Sequence, residues 1–209
     1  IIAALFAIPI GALAAYREGG YFDRITSALT TAALSIPGFL AGIFFIWLFT
    51  LKFNWLPSTG WNRLSEKGLL ANLQTAILPA SALALAPLAI NARLIRADMI
   101  GTLKEDYILS ARAKGLRDRY ILMCHALRPS SLTAITVFAL QLGGLIGGTV
   151  VIETVFALPG LGTRLISGIY QRDVMMIQGI TLFIATVYVV VNTAVDLLYL
   201  ALDPRIRRQ

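Results

Sequence analysis

The side chains capable of chemistry are few in this chain and gather in one stretch. Residues 93–128 hold 8 of its 18 Lys/Arg and 4 of its 11 Asp/Glu. Within that island, the run from Asp106 to Leu116 (DYILSARAKGL) reads as a helix that stops at a glycine. Tyr107, Ala111 and Lys114 or Gly115 share a face at helical spacing, and Gly115 can supply a C-cap of positive φ. A second helix is expected to start with Asp118 as its N-cap and to lead through Tyr120. Two short helices meeting at a glycine make a protruding elbow whose small residues let another protein approach closely. The plainer alternative is a solvated loop that only enforces topology.

The other reactive groups are isolated. His125 is the only histidine and Cys124 the only cysteine. With no second ligand at metal spacing, the pair predicts no metal site, and Cys124 reads as a reduced, structural thiol. No intramembrane Ser, His and Asp set suggests a hydrolase, and no G-x-x-x-x-G-K-[ST] is present to cradle a nucleotide phosphate. Glu153 stands at the end of an apolar run, either facing a translocation path or anchoring the interface. Asp196 lies about 10 Å along a helix from Asp203, with Asn192 one turn away. An intramembrane carboxylate is a functional candidate, although pairing with a basic residue of the island explains it equally well.

The elements that must position these residues are membrane helices. At 57% hydrophobic and 14% charged residues, the chain is too apolar for a soluble domain of its size. The net charge of +7 sits in short blocks between apolar runs, which fits membrane topology rather than nucleic-acid binding. Five runs are expected to span: residues 1–16, 25–51 (kinked at Pro37-Gly38), 75–92 (with Pro79 and Pro87), 130–152 and 174–202. The first begins without Met, as a cleaved product or a fragment starting inside a membrane helix would, and for the fragment a sixth span is expected upstream. Residues 153–173 are too short and broken to span and read as an exposed loop or a short re-entrant or interfacial segment. Gly143 with Gly147 and Gly144 with Gly148 satisfy small-xxx-small, a helix-packing pattern that could also serve a second subunit. Alternating spans leave 13 basic residues on one side and 5 on the other. The positive-inside rule then puts the island and the C-terminus in the cytoplasm.

Several motifs occur together in order: DY-x-x-S-ARAKG-L, HALRP, GG-T-VV-I-E-T-VF-x-x-PG-LG, RD-x-x-x-x-QG and a terminal DPRIR. With them the chain resembles the membrane-spanning permease subunits of bacterial ABC importers of the dipeptide, oligopeptide and nickel type, over essentially its whole length. The resemblance implies a single all-α transmembrane domain over residues 1–209, with a cytoplasmic coupling loop at about 93–128. It also implies a coupling helix at Asp106, Tyr107, Ala111, Arg112, Ala113, Lys114, Gly115 and Leu116, docked in a cleft of an ATPase subunit. The Glu that opens the general importer signature is absent here, where Leu109 and Ser110 precede Ala111. Two ATPase subunits, a second homologous permease, an extracytoplasmic solute-binding protein and the lipid bilayer are the implied partners. ATP and Mg would bind the ATPases, leaving no cofactor on this chain. An ATP-independent secondary transporter is the rival reading; it would need mid-bilayer charges that the fourth and fifth spans lack.

Overall fold

A computed structural model describes residues 1–202, apart from the side chains at 119, 131, 132, 143, 146–148, 196 and 198–202. Every regular element among them is helical: α1 (Ile2–Tyr16), α2 (Tyr21–Ser35), α3 (Gly38–Phe45, continued by a π-helical stretch Ile46–Lys52), α4 (Leu64–Leu103), α5 (Asp106–Ala113), α6 (Asp118–Tyr120, followed by a π-helical stretch Ile121–Ala126), α7 (Leu127–Gly148), α8 (Val150–Val155), α9 (Leu161–Gln171) and α10 (Val174–Leu202). The chain divides into two compact units, the first built on Ile1–Ser35 and Ala86–Ala139, the second on Ile36–Leu85 and Leu140–Leu197.

In the first unit α1 and α4 pack through small residues. Ala3, Ala7, Gly11 and Ala15 recur every four residues on α1, and all are buried. A Cβ on Gly11 would stand 2.6 Å from the Ala92 carbonyl oxygen and 2.9 Å from Ile95 Cβ, so only glycine lets the backbones approach this closely. Two apolar clusters fill the contact, Ala7 with Ala92, Ile95 and Ala134, and Ala12 and Ala15 with Met99 and Ala126. The hydroxyls of Thr26, Thr30, Thr31 and Ser35 return to carbonyls three or four residues earlier. Each of these four hydroxyls is thereby satisfied on its own helix, as an apolar medium demands.

The second unit is centred on Phe156, 2% exposed, with Leu78, Ala82 and Ile152. Gly42 makes room for that ring, since a Cβ there would come within 3.0 Å of it.

Proline and glycine set the breaks. Pro37 was expected to kink a span; instead α2 ends at Ser35, Pro37 is extended (φ −56°, ψ 137°) and a new helix starts at Gly38. The ring of Pro37 forces its predecessor out of the helical region, so the run breaks outright. Within α4 the helix is interrupted at Gly68 (φ 79°) and then continues through Pro79 and Pro87. Neither proline can donate to the carbonyl four residues back, but Asn91 Nδ2 adds a bond to the Pro87 oxygen at 2.7 Å.

The all-helical, multi-pass class holds, with changed boundaries. Among the described residues, on length and composition α4 and α10 are each long and apolar enough to cross a membrane; counting the pairs broken at Pro37 and near Ser130 gives up to four, and α1 is a shorter apolar helix of 15 residues. Residues 153–173, expected as a loop or a short re-entrant or interfacial segment, contain the end of α8 and all of α9.

Candidate coupling elbow and the loop at Glu153

The elbow is built at the C-terminal end of α4 within the first unit. α5 starts after Glu105, which is extended (φ −72°, ψ 147°), and ends at Lys114. Gly115 then turns left-handed at φ 76°. Its N–H donates to the Arg112 oxygen at 2.9 Å and that of Leu116 to the Ala111 oxygen at 3.3 Å. That is the paired closure of a glycine-stopped helix, and a side chain at 115 would be strained although the space around it is open. Gly115 as the stop was legible in the sequence. Asp118 as the N-cap was not: Arg117, extended at ψ 140°, takes that place and Asp118 is the first helical residue. Its carboxylate is occupied by side chains instead, accepting from Tyr16 Oη at 3.2 Å and standing 3.9 Å from Arg112 Nε.

What holds α5 down corrects the expected surface. Ala111 is 7% exposed, packed with fully buried Ile108 and with Ile121 against Leu103. Its small side chain seats the helix on its own chain rather than offering itself to a partner. The outward face carries Asp106, Tyr107, Leu109, Arg112, Ala113, Lys114, Gly115 and Leu116, all exposed. Apolar Leu109 (55% exposed) and Tyr107 (46%) stand beside the charges, a mixture suited to a protein groove rather than to water alone. Burial and the Glu105 carboxylate push the Tyr107 phenol above its usual range. It therefore stays a protonated donor, reaching the His125 carbonyl oxygen at 3.4 Å. The His125 ring meets Tyr120 edge-on with centroids 5.5 Å apart, and Cys124 is exposed rather than packed.

The first polar turn lies against the elbow. Lys104 Nζ lies 3.4 Å from Glu18 Oε1. Deeper in, Arg96 clasps Asp23, its Nε donating to Oδ1 and its Nη2 to Oδ2 at 2.7 Å, while the Gly19 N–H adds 2.9 Å to Oδ2. Asp23 is 4% exposed. Sequence reading had passed over this pair, because nothing in the spacing of residues 73 positions apart signals it.

Glu153, expected at a path or an interface, is engaged inside the second unit. Its Oε2 accepts the Thr163 N–H at 2.9 Å and its Oε1 the Thr149 hydroxyl at 3.1 Å. The carboxylate therefore caps the N-terminus of α9, where orphan donors and the helix dipole favour an anion. The glycines of PG-LG follow from that. A Cβ on Gly160 would fall 2.1–2.3 Å from the Glu153 carboxylate, and one on Gly162 2.6 Å from Val150 Cγ2.

Of the remaining candidates, a Cβ on Gly144 would meet nothing within 4 Å, so it makes no close packing among the described residues. Asn192 lies on α10 with a buried Oδ1 that has no hydrogen-bond partner among the described residues. Gly143, Gly147, Gly148 and Asp196 lie outside the described side-chain positions, and the terminal DPRIR lies outside the described residues. The small-residue seam that the structure does bring together, Ala3-Ala7-Gly11-Ala15, obeys the same four-residue rule but was hidden in a uniformly apolar run.

Residues 7–208 match the family described as "Binding-protein-dependent transport system inner membrane component". The chain is 37% identical to the dipeptide transport system permease protein DppB of Escherichia coli (strain K12), an alignment covering 100% of this chain and 68% of that protein. It is equally similar, at 37% identity and the same coverages, to the di/tripeptide transport system permease protein DppB of Pseudomonas aeruginosa (strain UCBPP-PA14). A Brucella abortus (strain 2308) protein, provisionally named as a peptide transport system permease, is 39% identical over 96% of this chain. This chain spans 63% of the length of that relative.

Proposed function

Because this chain belongs to the family of binding-protein-dependent transport system inner membrane components, we propose that it is the membrane-spanning permease subunit of an ATP-driven importer of di- or oligopeptides. The family match along residues 7–208 carries this reading, and the relatives named for peptide transport supply the substrate class. On this reading residues 1–209 form one transmembrane domain with five spans, α1 and the bent pairs included. The island and the C-terminus face the cytoplasm, and the loop at about 93–128 is the coupling loop.

The outward face of α5 is the handle in the mechanism. Asp106, Tyr107, Arg112, Ala113, Lys114, Gly115 and Leu116 enter a cleft of an ATPase subunit, while Ile108 and Ala111 bolt the helix to α4 and to the π-helical stretch after α6. Closing of two ATPase subunits on ATP and Mg, which this chain does not bind, would move α5. Because α5 is packed on Leu103 and Ile121, the motion passes into α4 and α7, which line the path with a second homologous permease. An extracytoplasmic solute-binding protein delivers the peptide. Gly143, Gly144, Gly147 and Gly148 suit contact with the second permease, as does the open space at Gly144. Asn192 and Asp196 are the candidates for the path. Glu153 serves by fixing α9.

The test is uptake of a labelled dipeptide into proteoliposomes holding the complete complex and its binding protein. ATP inside the cytoplasmic compartment should drive accumulation, and an ion gradient alone should not. Uptake driven by the gradient without nucleotide would establish the secondary transporter instead.

A further inference from the structure

A cavity of about 450 Å³ opens between α2 and α4 of the first unit, lined by Ser27 and Leu34 on one helix and Ile90, Arg93, Leu94, Arg96 and Ala97 on the other. Its charge is not balanced. The guanidinium of Arg96 is matched by both carboxylate oxygens of buried Asp23. Arg93, one turn earlier on the same face, is exposed and belongs to none of the ion pairs among the described residues. One uncompensated positive charge therefore faces the cavity.

The lining is graded along the membrane normal. α4 leaves its apolar run after Ala92, so Arg93 stands at the edge of the hydrocarbon, on the side where the basic residues accumulate. From Ala97 to Ile90 the helix descends about 10 Å toward the bilayer centre. On α2, Leu34 lies two turns deeper than Ser27. Both arginines and Ser27 thus stand toward the shallow end, with Leu94 and Ala97 among them, and the deep end has only the apolar walls Leu34 and Ile90. A ligand that fits has an anion at headgroup depth and an apolar body pointing inward; a small peptide carboxylate would make no use of the deep walls.

We propose that this cavity holds one anionic phospholipid of the cytoplasmic leaflet, its phosphate on Arg93 and an acyl chain along Leu34 and Ile90. Basic pockets between membrane helices on this side favour acidic headgroups. The assignment rests on the membrane orientation given above and not on the transported substrate, so a wrong substrate class leaves it standing.

The complex, purified in mild detergent, is titrated with phosphatidylglycerol and with phosphatidylcholine and read by native mass spectrometry. The wild type should retain phosphatidylglycerol about fivefold better, the scale for one basic residue near an acidic lipid. Arg93→Gln should bring that ratio close to one, whereas Arg93→Lys, which keeps the charge, should preserve most of it. Arg63→Gln, at an exposed pair with Glu66 outside the cavity, should change nothing. The same ratio in wild type and Arg93→Gln would overturn the assignment. So would displacement of the lipid by millimolar dipeptide together with a raised KM for uptake in Arg93→Gln, which would make the cavity a substrate subsite.

Discussion

The seat of α5 lends itself to a quantitative perturbation, Ile108→Ala. Ile108 is fully buried, and with Ala111, Ile121 and Leu103 it forms the apolar cluster beneath the helix. Truncating a buried isoleucine to alanine costs about 2–5 kcal/mol, and the larger share of that range applies where surrounding helices cannot collapse into the gap. α5 has only 8 residues, well under the length at which an isolated helix persists in water. Its folding therefore depends on this contact, on the glycine stop and on the long bond from Tyr107. A loss of about 2 kcal/mol or more removes most of what holds it. Amide hydrogen exchange on the reconstituted complex should show protection of residues 106–113 falling by about thirtyfold or more, while α10 keeps its protection. Dipeptide uptake should fall at least tenfold with ATP hydrolysis still present, the signature of a motor turning without its linkage. Leu109→Ala, on the exposed face, should leave the protection of α5 intact. If Ile108→Ala kept both full protection and full uptake, the claim that α5 transmits motion through its packed underside would be wrong.

Other sites give distinct outcomes. Gly11→Leu should prevent assembly of the first unit, because its side chain would collide with the Ala92 backbone; limited proteolysis of membranes should then cut between α1 and α2 faster than in wild type. Gly160→Ala should displace the Glu153 carboxylate from the end of α9, costing about 1–2 kcal/mol as a lost charged cap, readable as a lower Tm of the purified complex. Glu153→Gln keeps the shape and should lower Tm less than Gly160→Ala does. Arg96→Leu leaves Asp23 buried without its cation, a loss of about 3 kcal/mol or more, and a drop in expressed, detergent-stable protein checks it.

Much of the plan was legible because the bilayer enforces simple rules. Apolar length marked the helical runs, and Gly115 marked the stop of α5, since a left-handed residue at a helix end is a backbone demand that composition exposes. The elbow's polarity was misread at one place. Ala111 looked like open surface because a small residue beside charges is ambiguous, and helical spacing alone does not say which face is turned down. That face was set by Leu103 and Ile121, which come from two other segments. The role of Glu153 was equally hidden, since its partner Thr163 is ten residues away across a turn whose path the sequence does not state.

The sequence by itself determined the medium, the helical class and the chain's kinship, because burial in lipid and the run of motifs are properties of local composition and order. Tertiary structure alone decided which small residues touch, which acid meets which base, and which side of α5 is free. Those depend on helices distant in sequence arriving within a few ångströms of one another, as Asp23 and Arg96 do. No local pattern encodes that meeting.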